Sequence, residues 1–358
     1  MEKLPIHALK PLTERESAQG TKVLRADALN VYATMPCPLK VRFKAEFEAF
    51  IEHYNQQHAM PIYCPTILDG APKAMEDLLR EAQDESDLPD LWITTSFHTL
   101  FSREFKRRFI DSGILLGVTK PEFVPLLPPE YQRVASTYNI GFLAFGGWEL
   151  ICDTSLTAEM LYPKSWSDLA KPEFRGKLSI HGYHGKASGA SLLLVLQERM
   201  GKGAIREFAR NIGSIRHFAE IIKRIDSADE SRMAFNILPN AASRQMPSKK
   251  RAVQLEFADG PLMAPLMLFV KRSRFEACRE LLEFFWGERC RAVLARGDFM
   301  MPDQMNWSRN YTFPSWDYLA SMDFAELSEE LNAEFRAGLA PGILPSDGTA
   351  ISKQHKES

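Results

Sequence analysis

The chain has 358 residues, 45% of them hydrophobic and 25% charged, with a formal net charge of -2. That length exceeds what one core usually holds, so two lobes are expected. The near-neutral balance argues against nucleic acid or an anionic membrane as partner, and no stretch is long and uncharged enough to span a bilayer.

Cysteine usage narrows the class further. Cys37, Cys64, Cys152, Cys278 and Cys290 are odd in number and form no Cys-x-x-Cys pair, which argues against a disulfide framework or a structural zinc. No cofactor and no metal are expected. The start of the chain, Met1 to Lys10, has no apolar run of signal-peptide length, so the chain as written is expected in the cytoplasm, or in the periplasm or outside the cell if a leader has been removed.

In chain order, residues 1–27 read as a polar, proline-punctuated extension. Residues 28–34 read as a buried first strand, broken by Met35-Pro-Cys-Pro38. Leu39, Phe43, Phe47, Phe50, Ile51 and Tyr54 then recur at helical spacing, with the prolines where a helix begins and N–H groups have no partner. The unit repeats: a strand over 60–68, a turn at 69–72 and a short helix marked by Met75, Leu78 and Leu79. A third strand over 91–94 precedes a helix carrying Phe97, Leu100, Phe101, Phe105 and Phe109. Strand–loop–helix repetition predicts a parallel sheet with crossover helices, and ligands of such sheets sit outside the carboxyl ends of the strands. The loops at 34–37, 69–72 and 94–97 fall there.

Residues 121–131 read as a proline-rich surface connection, and 137–145 and 149–153 as two strands, the first crossing into a second lobe. The stretch Tyr162 to Ser191 holds a short helix capped by Ser165 with Asp168, a stop at Pro172, a strand over 177–181, a glycine-broken loop and a helix opening near Ser188. Beyond it come a helix over 204–212, a buried strand within 231–240, a return crossing through 253–257 and 264–270, and a helix with Phe275, Cys278, Leu281, Leu282, Phe285 and Trp286. Residues 307–344 read as helical and the end of the chain as a polar tail. The expected division is lobe 1 over 28–136 and 255–345, lobe 2 over 137–254 and a tail over 346–358.

Catalytic signatures are thin. Gly182, Gly185 and Gly189 lack phosphate-loop spacing, and Gly185-Lys-Ala-Ser-Gly189 is one residue off a nucleophile elbow. His181 and His184 form the one imidazole cluster, readable as polar loop residues, metal ligands or a general base. Cys37 lies before a helix that could lower its pKa, but packing is the plainer role.

Pro163-Lys-Ser-Trp-Ser-Asp-Leu followed by Lys171-Pro-Glu-Phe-Arg-Gly-Lys-Leu resembles a signature of bacterial extracellular solute-binding proteins of the type II periplasmic-binding fold. Tyr138-Asn-Ile-Gly141 through Cys152-Asp-Thr154 is similar to that family's hinge crossing, with Asp153 in place of its usual asparagine. Asp259-Gly-Pro-Leu-Met-Ala-Pro265 and the helix from Glu276 are similar to its return strand and C-terminal helix. The resemblance covers roughly residues 28–305. It implies an α/β protein of two lobes, each a mostly parallel sheet flanked by helices, joined by two crossing strands and closing on a solute. By position, it implies first-lobe contacts from Thr34, Pro36, Cys37, Asp69, Gly70, Thr95 and Ser96, and second-lobe contacts from Lys186, Ser188 and Gly189. Tyr138, Asn139, Asn236 and Asn240 fall near the hinge and floor. Ferric-ion members carry a neighbouring tyrosine pair where this chain runs from Met233 to Asn240 without one, which argues against iron.

The expected function is capture of a small polar or anionic solute, linked to the membrane subunits of an ABC-type importer. One alternative is a cytosolic ligand sensor on the same fold that reports to a signalling partner. A further alternative is an enzyme with His181 or His184 as base.

Overall fold

The structure is a computed structural model that describes residues 23–65, 79–97, 99–183, 186–187, 190–225, 227–243 and 251–343. The expectations for Asp69, Gly70, His184, Ser188, Gly189, the extension before residue 23 and the tail lie outside these residues.

The described elements begin with β1 (Leu29–Ala33), α1 (Cys37–Gln57), β2 (Ile62–Tyr63), β3 (Leu91–Thr94), α2 (Arg103–Phe105) and β4 (Leu115–Gly117). They continue with α3 (Pro129–Thr137), β5 (Phe142–Asp153), β6 (Leu178–Tyr183), β7 (Lys186–Ala187), α4 (Ala190–Met200), α5 (Ala204–Asn211), β8 (Ile212–Arg216) and α6 (Phe218–Arg224). Last come β9 (Phe235–Pro239), α7 (Asn240–Ser243), β10 (Ala252–Leu255), β11 (Leu262–Lys271), α8 (Arg279–Trp286), α9 (Glu288–Arg296), α10 (Trp316–Ser321) and α11 (Phe324–Gly338).

The described residues fall into two compact units, one within 23–146, 264–308 and 315–327, the other within 147–263, 309–314 and 328–343. The chain changes unit inside β5 and again inside β11. Against the sequence expectation, residues 137–146 fall in the first unit and 255–263, 309–314 and 328–343 in the second.

In the first unit, β1 pairs in parallel with β2 and β3, and β11 runs antiparallel to β3 and β4. The apolar stripe of α1 explains its docking: Phe43 and Phe47 are fully buried, and Phe43, Phe47 and Phe50 stack on Phe284 and Phe285 of α8. Rings at such separations add to the area they bury. The expected helix after β3 is shorter than its phenylalanine spacing predicts. It opens at Arg103 and widens into a π-helix over Lys106–Ile110, while Phe97, Leu100 and Phe101 pack from turns.

The proline-rich connection is also structured. It forms a 3-10 turn over Pro121–Leu126 and then α3, with Pro128 at the N-cap and Pro129 in the first turn. Proline is tolerated there because a first-turn N–H has no intrahelical acceptor. The two strands expected over 137–153 are one, since β5 runs unbroken through Gly146 and Gly147. Tyr138 is instead the C-cap of α3.

In the second unit, β6 pairs in parallel with β8 and β9, β9 runs antiparallel to β5, and β10 lies antiparallel on β5. β8 and α6 were not read from the sequence. Their apolar residues, Ile212, Ile215, Phe218 and Ile221, alternate with Gly, Ser, Arg and His, which gives too short a pattern to separate from the end of α5. The stretch around Trp166 folds as two 3-10 turns, Ser167–Ala170 and Pro172–Phe174. Only half of the expected box forms: the Asp168 N–H donates to Ser165 Oγ at 3.3 Å, but the Asp168 carboxylate accepts from Lys164 N at 2.7 Å rather than from Ser165 N, and Trp166, not Ser165, stands at the N-cap of the turn. α11 belongs to the second unit from Ser328 on, where Arg206 bonds Glu334 at 3.0 Å and Phe208 meets Phe335.

A buried carboxylate ties the first unit together. Asp90 Oδ1 lies 3.0 Å from Lys271 Nζ, and its Oδ2 accepts the Asn30 N–H at 2.8 Å. Its backbone joins too, with N–H to Asn30 O and carbonyl to Lys271 N. Replacing Asp90 with alanine strands the Lys271 ammonium, only 7% exposed, without a counter-charge. Urea unfolding of Asp90→Ala is expected to show a loss of about 3–5 kcal/mol; a loss below 1 would mean that the pair is not needed.

Candidate functional site

In the first unit, the parallel pairing of β1 and β3 brings their carboxyl ends to one edge. Thr34 follows β1 and Thr94 closes β3. The Thr34 hydroxyl lies 3.0 Å from Thr94 Oγ1 and 3.3 Å from Ile93 O, and the Ser96 N–H donates to Thr94 Oγ1 at 2.9 Å. Thr94, which the sequence reading passed over as a strand residue, is therefore the buried hydroxyl around which Thr34 and Ser96 are arranged. Its signal was its place as the last residue before Thr95 and Ser96. Thr95 and Ser96 are half-buried at the bend that follows.

Pro36 is the N-cap of α1 and makes no side-chain bond, while the first turn carries no acid. Within that turn the Leu39 and Lys40 N–H groups bond the Pro36 carbonyl at 2.9 and 3.2 Å and Pro38 has no N–H, so few backbone donors are left for a ligand at this end. Cys37 is the first residue of the helix, and its side chain lies outside the described residues. The remaining described cysteines are buried and in no disulfide; burial pushes the Cys278 and Cys290 thiols up to about 12, which makes them inert.

Asn139 is committed to the fold. It holds a left-handed backbone at φ 54°, and its amide accepts from Gly117 N at 2.9 Å while donating to Ile110 O and Leu115 O at 3.1 and 2.6 Å. Its carbonyl and amide nitrogen are thereby engaged by backbone. Gly117 and Gly141 meet backbone to backbone beside it, since a Cβ on Gly141 would lie 2.0 Å from Val118 N. Tyr138 is half-buried and its hydroxyl bonds the carboxylate of Asp317, which also takes Arg133 at 3.1 Å.

In the second unit, β6 turns into β7, with Tyr183 opposite Lys186 and Gly182 opposite Ala187. Lys186 thus sits at the carboxyl end of β6; its side chain lies outside the described residues. Asn240 opens α7 directly after β9 and accepts the Gly147 N–H at 3.1 Å. Asn236 is 2% exposed inside β9, where Ser179 Oγ donates to its Oδ1 at 2.6 Å and its Nδ2 reaches Met233 O at 3.1 Å.

His181, one of the two histidines offered as metal ligand, base or plain loop residue, is enclosed by aromatic rings. His181, 5% exposed, stacks on Trp148 at 6.0 Å and meets the edges of His217 and Phe218 at 5.3 and 5.4 Å. Burial pushes its pKa down to about 4, against a weak opposing contact from the Arg216 carbonyl. So weak a base does not suit proton abstraction at neutral pH. His217, missed by the sequence reading because it stands alone between Arg216 and Phe218, accepts the Ala219 N–H at Nδ1 and is likewise lowered, chiefly by burial. Among the described residues there is no cluster of metal-ligating side chains.

The pH consequence has a definite sign. A histidine whose folded value lies below the unfolded value near 6.5 contributes fully above 6.5 and loses its contribution as pH falls toward the folded value of about 4. The cost reaches about 3 kcal/mol at the lower limit. Urea midpoints of the wild type should fall more steeply between pH 6.5 and 4 than those of a His181→Phe variant. Equal slopes would show that His181 is not buried neutral.

The sequence model of the family described as "Bacterial extracellular solute-binding protein" matches residues 86–322. No curated protein matches the chain. Among solved structures, iron-bound HitA from Pseudomonas aeruginosa is similar at 17% identity and a TM-score of 0.57, covering 87% of this chain and 99% of that one. AfuA from Actinobacillus pleuropneumoniae, a periplasmic binding protein with exogenous fructose-6-phosphate, is similar at 12% identity and 0.56, covering 86% and 98%. The apo ferric ion-binding protein A of Pasteurella haemolytica is similar at 14% and 0.56, covering 87% and 96%. These relatives are binding proteins, and the fold is their two-lobe type II periplasmic-binding fold. Among the described residues no helix is long and apolar enough to cross a membrane.

Proposed function

The chain belongs to the bacterial extracellular solute-binding protein family, and we propose from that premise that its cargo is a small polar or anionic solute, delivered to the membrane subunits of an ABC-type importer. Following the family's description, capture takes place outside the cytoplasm. The first unit contributes Thr34, Pro36, Thr95 and Ser96, with Cys37, Asp69 and Gly70 alongside. The second contributes Lys186, Ser188, Gly189 and Asn240. Asn139 and Asn236 serve the fold that carries these contacts, and Tyr138 belongs with Asp317 at the end of α3.

The observation that carries this reading is the excess of donors among the contacts. The hydroxyls of Thr95 and Ser96 and the Lys186 ammonium favour a negatively charged or polar oxygen group. A ferric ion needs the opposite, anionic oxygens aimed at the metal, and the chain from Met233 to Asn240 holds no tyrosine. The fructose-6-phosphate in AfuA supports an anionic sugar as one class to try first.

Thermal melting against sugar phosphates, carboxylates and ferric citrate tests the reading. A true solute at a hundred times its dissociation constant should add about 2.7 kcal/mol of stability. Lys186→Ala should weaken an anionic solute at least tenfold, or about 1.4 kcal/mol, and leave a neutral one unchanged. A response to ferric citrate alone would overturn the proposal.

A further inference from the structure

We propose that the second unit carries a separate pocket for a small oxyanion of the phosphate or sulfate type, on the face of β6, β8 and β9 that α6 covers. The floor is a row of polar residues where a core strand usually carries valine or isoleucine. The parallel register places Ser179 opposite Ser214 on one side and opposite Asn236 on the other. The row is 2%, 7% and 2% exposed, and burying it is tolerable because it is bonded within itself and to the backbone. Ser179 donates to Asn236, and Asn236 donates to Met233 O and Ile151 O.

Three arginines line the pocket with this floor: Arg216 from β8, Arg224 from α6 and Arg232 from the approach to β9. They line a shallow pocket whose enclosed space is about 10 Å³ and which otherwise opens to solvent, so an anion held there keeps one side in water. The side chains of Arg216, Arg224 and Arg232 are 33%, 26% and 17% exposed, so their heads are partly out of water. Asp229, Asp153 and Glu220 pair with them, yet none of these carboxylates lines the pocket.

The direction of the bonds is what distinguishes the pocket from an ordinary ion-pair network. Both hydrogen bonds of Arg224, to Asp229 and Ser231, leave from Nη1. Both of Arg232, to Asp153 and Ser155, also leave from Nη1, each at 3.0 Å. Arg216 bonds Ser214 through Nε at 2.8 Å, and Glu220 is 3.7 Å from its Nη1. Among the described residues, the Nη2 groups of Arg224 and Arg232 and both terminal nitrogens of Arg216 therefore have no hydrogen-bond acceptor. Ser214 accepts from Arg216 and keeps its own proton to give. The carboxylates hold the guanidiniums by one edge and leave planar donor pairs for a ligand, the geometry that matches phosphate or sulfate oxygens.

The pocket is distinct from the contacts proposed for the solute. Its floor lies at the second residue of β6 and of β9, whereas Lys186 follows the carboxyl end of β6. Calorimetric titration of inorganic phosphate, and separately of sulfate, into the full chain at constant ionic strength tests the assignment. Saturable binding should weaken at least tenfold in Arg216→Gln and in Arg224→Gln and be unchanged in Arg199→Gln, whose guanidinium pairs with Asp259 away from the pocket. Arg216→Gln gives up the bond to Ser214 and a long, partly exposed ion pair to Glu220, so its melting temperature in chloride should stay close to the wild type. A sugar phosphate titrated in parallel distinguishes the source: tighter binding than free phosphate, lost in Arg216→Gln, assigns the pocket to phosphoryl groups, and weaker binding, lost likewise, assigns it to the free anion. Absence of saturable binding up to about 10 mM, a level corresponding to only about -3 kcal/mol, overturns the proposal. So does loss in Lys186→Ala with the arginine variants unaffected, an outcome that would leave the solute reading of Lys186 standing.

Discussion

A single buried carboxylate sets the alignment on which the first unit depends. Asp90 stands just before β3 and holds the start of β1 through Asn30 and the end of β11 through Lys271. A charge taken out of water must find its partners, and only one register supplies them. With the amino ends of β1 and β3 fixed by Asp90, their carboxyl ends arrive level, and Thr34, Thr94 and Ser96 meet within hydrogen-bond distance. The contact edge is thus a consequence of an ion pair at the opposite end of the same strands.

The second unit uses the same device at Asp153, which is wholly buried at the end of β5. Its carboxylate takes Arg232 at 3.0 Å, Ser155 Oγ at 2.6 Å and Ser155 N at 3.1 Å. The family resemblance predicts asparagine there. An asparagine could keep the turn to Ser155, but it could not balance the Arg232 guanidinium. The aspartate and the arginine therefore belong together, and they orient one wall of the pocket over Ser179 and Ser214.

Identities of 12–17% to structures with the same fold show how little of the fold depends on particular side chains. What they share is the fold, while within this chain small residues stand where backbones touch. Gly141 shows why the last matters: any side chain there would drive into Val118 and Leu268. Cargo chemistry is free to vary because it rests on strand ends and loops rather than on the packed interior.

Much of this was legible in the chain itself. The aromatic spacing of α1, the buried run of β3, the Ser165–Asp168 contact and the return strand β11 each follow from local periodicity or local hydrogen bonding, which neighbouring residues decide among themselves. The sequence also determined the family, through motifs whose order and separation survive. Tertiary structure alone decided the rest. Nothing local marks Thr94 as a hub, pairs Asp90 with Lys271 or sets Ser179 beside Ser214 and Asn236, because each depends on strands far apart in the chain meeting in register. For the same reason His181, a loop imidazole by its neighbours, became a buried neutral one once Trp148, His217 and Phe218 closed around it. A side chain's chemistry follows the water and charge it meets, and only the packed fold determines those.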